Sequence, residues 1–194
     1  MRYSASERLI AGLLTSFPGL KKKIKYIYQY VNYLLYRKSY AFKTSGRLVK
    51  IIAKDQKESF FGYYDRSPMS KDGKKVLFHA TSYDTKRKPS DAHSVDVMLY
   101  DVESNTSVKI HTSKAFNWQQ GAKLQWLNDN ELIFNDYLDE KDIYVSRIYN
   151  LKTERIREIN FPVYDVYKDF ALSLNFDRLT EFRPDYGYFS KKNK

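Results

Sequence analysis

Two periodicities divide the chain. Between residues 20 and 38, Leu20, Ile24, Ile27, Tyr28, Val31, Leu34 and Leu35 recur at three- and four-residue steps, which puts them on one stripe of an α-helix. Lys21, Lys22, Lys25, Gln29, Asn32 and Arg37 fall mostly off the stripe, and Tyr26, Tyr30, Tyr33 and Tyr36 widen its flanks. From Leu48 the pattern becomes that of strands. Residues 48–54 are short and β-like, and Val76, Leu77 and Phe78 form the centre of a buried strand. That strand is entered through 67–73, where Asp72-Gly73 marks a tight turn because glycine tolerates positive φ. A polar loop (84–94) leads to a strand at 95–100, and Asn105-Thr106 breaks it from another at 107–110.

The pattern then repeats. Residues 124–131 lead into Leu132-Ile133-Phe134, and 143–150 and 156–159 follow as outgoing strands. Phe78 aligns with Phe134 at an offset of 56, and Tyr100-Asp101 with Tyr149-Asn150 at 49. A third copy begins at 164–168, with a strand expected over 170–174. Units near fifty residues with about four short strands each are the signature of propeller blades, and a β-sandwich is the alternative. The expected fold is mainly β: a partial β-propeller of about three antiparallel blades (48–113, 114–163 and 164–194) behind a basic amphipathic helical leader (1–47). Propellers usually close with about four to eight blades. The expectation is therefore an incomplete ring, shortened from a longer protein or completed by another chain, with open sheet edges available for self-association.

Charge sharpens the division. Of the net +11, the leader holds +9, from ten basic residues and Glu7, so the remaining 147 residues are almost neutral. That argues against a nucleic-acid surface on the body. The leader suits either packing, on the body's own surface or on a second subunit, or an anionic membrane that meets Lys21, Lys22 and Lys25 while Ile24, Ile27, Tyr28, Val31 and Leu34 enter its boundary. Residues 9–17 (LIAGLLTSF) are too few to span a bilayer and lack a small-residue cleavage site. The expected location is cytoplasmic or peripheral on the inner membrane. With no cysteine, the chain has no disulfide, thiolate metal site or cysteine nucleophile.

Segments Phe61-Gly62-Tyr63-Tyr64-Asp65-Arg66-Ser67-Pro68, 117–126 (NWQQGAKLQW) and Ile133-Phe134-Asn135-Asp136 resemble bacterial β-propeller proteins encoded in surface-polysaccharide gene clusters. So do 172–179 and 183–188, and the resemblance covers about 54–188. The blades are similar to those of the Tol-Pal periplasmic propeller and of oligogalacturonate lyase. The resemblance implies a part in lipopolysaccharide O-antigen or capsule biosynthesis, with a carbohydrate or a polysaccharide-assembly enzyme as partner. Proteins of that group are described as glycosyltransferases or capsule proteins, and they lend no firm catalytic residue. This chain covers about the first half of their length.

Candidate chemistry gathers in the same segments. Trp118, Gln119, Gln120 and Trp126, with Tyr63, Tyr64 and Asn135, offer aromatic platforms and amides of the kind that bind sugars. The alternative is that both tryptophans wedge between blades. Arg178 suits a uronate or a diphosphate, or else a surface ion pair. Asp65 and Asp136 are the candidate carboxylates for acid–base work, with Asp177 a further acid; aspartates are also common in turns. His79, His93 and His111 are the only histidines, and they do not suggest a metal site or other cofactor. Three functions stay open: a glycan- or enzyme-binding accessory protein, an enzyme acting on oligosaccharides (transferase, lyase or hydrolase), and a structural half-propeller.

Overall fold

The structure, a computed structural model, describes residues 18–39 and 56–189. The strand expected over 48–54 and the apolar run at 9–17 lie outside the described residues. The chain divides into two compact units, Met1–Leu48 and Val49–Lys194.

In the first unit, α1 (Pro18–Tyr36) starts at a proline, whose fixed φ suits the first helical turn. None of its residues is buried; Ile27 is 60% exposed and Leu35 71%. Among the described residues no helix is long and apolar enough to cross a membrane.

The second unit is mainly β. Strands β1 (Glu58–Phe60), β2 (Lys75–Thr81), β3 (Val95–Asp101) and β4 (Thr106–Ser113) form one antiparallel meander. Strands β5 (Gln125–Asn128), β6 (Glu131–Leu138), β7 (Ile143–Asn150) and β8 (Arg155–Ile159) form another. A two-stranded hairpin follows, β9 (Asp165–Tyr167) and β10 (Phe170–Leu172), and then α2 (Phe176–Phe182).

The expected strand at 170–174 is thus cut to three residues. Asn175 explains the change: its side chain accepts from the Arg178 N–H and caps a helix, with Asp177 in the favourable first turn.

The layers stack in chain order. Leu77, Val95, Val97 and Leu99 pack through Phe116, Ala122 and Leu124 of the β4–β5 connector onto Leu132 and Phe134. The opposite face of the second sheet carries Ile133 and Ile148 against Val163, and Tyr137 and Tyr144 against Phe176 and Tyr188. Strands β2 and β6 are buried on both faces along most of their length, which is why they read as nearly continuous apolar runs. β4 and β8 are edge strands, blunted by Lys109 on one and Arg155, Arg157 and Glu158 on the other.

Candidate functional site

The two sheets share one register. Lys75 pairs with Asp101 and Glu131 with Asn150, so the 56-residue offset lays His79 on Asn135. Both residues pin the connector of the unit that follows. His79 is fully buried; its Nδ1 donates to the Phe61 carbonyl at 2.8 Å and its Nε2 accepts the Ala122 N–H at 3.1 Å. Asn135, 1% exposed, accepts from the Val163 N–H and Ser146 Oγ and donates to the Val163 carbonyl and Tyr188 Oη, all within 2.9 Å. The offset that aligns Phe78 with Phe134 was the sequence signal for this pair. It also means that the Asn135 amide is fully occupied within the fold.

The pins draw the leading edges of three sheets together. Arg66, on the loop after β1, forms an ion pair with Asp165 at the start of β9. Residues of the 117–125 segment meet the same region. Lys123 Nζ sits 3.9 Å from the centroid of the Tyr164 ring and 4.0 Å from Asp65, and Gln120 donates to Tyr164 Oη at 3.2 Å. Burial lowers the basicity of Lys123, opposed by the Asp65 charge. Lys123 also holds a left-handed backbone, φ 53°. Gly62, Tyr63, Asp65, Arg66, Gln120, Lys123 and Gln125 enclose a pocket of about 10 Å³ here. Tyr63 lies against the exposed Tyr64 with ring centroids 4.4 Å apart and the rings tilted by 36°; hydrogen bonding with Tyr64 and Tyr186 pushes its phenol up to about 12.

Beside this cluster opens a cleft of about 220 Å³. Lys86, Arg87 and Lys88 of the β2–β3 loop form one wall, Trp118 and Gln119 another, and Asp185 and Phe189 the rim. Trp118 packs on Phe116 and meets Phe60 edge-on, while its indole N–H donates to the Arg87 carbonyl at 2.6 Å. Trp126 likewise donates to the Pro68 carbonyl at 2.9 Å. Both indoles therefore tie the second sheet's leading segment to the first sheet.

The remaining residues are placed differently. Asp136 is buried; Oδ2 meets His111 Nε2 and Arg147 Nε, each at 2.7 Å, and Oδ1 accepts from the backbone of Lys114 and Tyr137. Burial alone would raise its pKa, but those donors outweigh it and hold the carboxyl below its usual range. Asp65 and Asp136 share no neighbour among these contacts, and the structure does not join them as a pair. Arg178 lies on α2 with its guanidinium 5.7 Å from the Phe182 ring, outside both clefts. His93 lies against the Tyr83 ring at a tilt, and no group of three or more His, Asp or Glu side chains among the described residues is placed to hold a metal ion.

His79 makes stability pH-dependent. Burial depresses its pKa to about 4 from 6.5. Between those values the unfolded chain binds a proton that the folded chain refuses, so stability is lost as pH falls through that window and levels off below it. The full shift corresponds to roughly 3 kcal/mol. Urea midpoints of wild type and His79→Gln should therefore converge as pH is lowered from 7 to 4.5; a gap that stays constant would contradict this.

No protein-family profile, curated protein or solved structure matches the chain. The fold and site define a mainly β protein built of serially stacked antiparallel meanders, with an aromatic and basic cleft beside the point where their leading edges converge.

Proposed function

We propose that this is a partial β-propeller that binds a glycan as an accessory protein of bacterial surface-polysaccharide (O-antigen or capsule) assembly. The observation that carries the reading is the cleft: Trp118 and Gln119 face Lys86, Arg87 and Lys88, an aromatic surface with amide and cationic groups around it. The blade reading is supported by the two four-stranded meanders and by the 56-residue repeat that gives His79 and Asn135 the same task. Binding is favoured over glycosidic cleavage because Asp136 is locked by His111 and Arg147 and has no second carboxylate partner. Saturation-transfer NMR on the full chain, with a panel of neutral and acidic bacterial oligosaccharides, tests the proposal. Signal on a saccharide that Trp118→Ala abolishes is expected; no signal from a folded sample would refute it.

The same proposal places α1 on an anionic membrane. Lys21, Lys22 and Lys23 stand in its first turns, where no acid offsets the helix's positive end, and its apolar stripe is exposed. Reversing Lys21, Lys22 and Lys25 to glutamate should weaken co-sedimentation with phosphatidylglycerol vesicles at least about tenfold, since each lysine near such a surface contributes about 1 kcal/mol. Equal binding by the variant would remove the anchor from the account.

A further inference from the structure

The pocket at the convergence of the three edges combines burial with unmet hydrogen bonding. Gln120, Lys123 and Gln125 are each no more than 5% exposed. Yet Oε1 of Gln120, Oε1 of Gln125 and Nε of Arg66 have no hydrogen-bond partner among the described residues. Among the described residues, Lys123 Nζ has a carboxylate at 4.0 Å and a ring face with its centroid at 3.9 Å, and neither contact is a hydrogen bond. Buried polar groups are nearly always paired, and the three orphaned atoms belong, with Lys123, to residues that line the same cavity. Its volume of about 10 Å³ accommodates one oxygen-sized group.

We propose that this pocket receives a single neutral hydroxyl of a sugar or other polyol, which accepts from the Lys123 ammonium and donates its one hydrogen to the amide oxygen of Gln120 or of Gln125. The unmet groups decide the chemistry. Two are acceptors and two are donors, and a hydroxyl can accept from both donors and give its one hydrogen to one of the acceptors. A carboxylate or phosphate only accepts and leaves both amide oxygens unanswered. Charge points the same way: Arg66 is set against Asp165 and Lys123 against Asp65, so the cluster is balanced without a ligand charge. A metal cation would be repelled by Lys123 and Arg66. Tyr63 and Asp65 also line the pocket, and Tyr64, 86% exposed, lies against Tyr63 at a tilt. The two rings offer a surface for the C–H face of the sugar that carries the hydroxyl. This deepens the glycan reading and rests on it for the identity of that sugar.

Glycerol and acetate, added separately to the ¹⁵N-labelled full chain, test the pocket through the side-chain amide signals of Gln120 and Gln125. Glycerol should shift both signals saturably, in the tens to hundreds of millimolar expected for so small a ligand. Acetate should produce no saturable shift. Lys123→Met should weaken glycerol about tenfold, the loss of one charge-assisted hydrogen bond. If that variant does not fold, the comparison on the unaltered chain decides. A linear drift with glycerol, or saturation by acetate instead, overturns the proposal. Glycerol saturation with no saccharide bound anywhere would sink the glycan reading and keep the pocket. Saccharide binding that needs Trp118 but leaves Gln120 and Gln125 unmoved would do the reverse.

Discussion

Gly121→Ala is expected to destabilise the fold by about 3 kcal/mol or more, read as a lower urea midpoint or loss of folded protein. Gly121 has φ 58°, and an added Cβ would lie 2.2 Å from Cε1 and 2.6 Å from Nδ1 of His79. The ring cannot retreat, because both its nitrogens are bonded, to Phe61 and to Ala122. The substitution therefore forces a choice between a clash in the core and two broken buried hydrogen bonds, on top of about 1 kcal/mol of left-handed strain. Gly73→Ala separates these contributions. Its φ is 73°, but the nearest atom to the new Cβ is the Met69 sulfur at 3.9 Å, so strain alone should appear. Equal losses at the two positions would mean that His79 is not the rigid post described here.

Asn135→Ala should cost about 4 kcal/mol, since it orphans the Val163 N–H and carbonyl and the Tyr188 hydroxyl in a buried site. The damage should be directional. Hydrogen exchange should accelerate across 163–188, the segment that Asn135 holds, well before the β2–β3 ladder responds. Uniform acceleration across both sheets would contradict the pinning role.

Much of the fold was legible because it is local. The helical stripe from Leu20 to Leu35, the Asp72-Gly73 turn and the long strands β3 and β7 each announce themselves within a few residues. The two-copy repeat was legible for the same reason. β1 was not, since three residues carry too little period, and its existence depends on pairing with the far end of β2. α2 was overlooked because its capping residue, Asn175, also reads as a turn. The site was only partly legible. Aromatic and amide residues in 117–126 drew attention to the right connector, and Trp118 and Gln119 do line the cleft. Lys86, Arg87 and Lys88 read as an ordinary polar loop, because nothing local says that a loop wall will face a tryptophan. The meeting of Arg66 with Asp165, and of Lys123 with Tyr164, depends on stacking three sheets, which no short segment encodes. Asn135 carried a sugar-binding residue type, yet its amide serves the fold.

Backbone chemical-shift mapping of the ¹⁵N-labelled full chain, titrated with the saccharide that gives the strongest saturation transfer, tests the central claim most directly. Perturbations are expected to concentrate in 85–89 and 117–125, among the residues that line the cleft and the neighbouring pocket. Perturbations centred on the edge strands β4 and β8, or on α2, with those two segments silent, would contradict it.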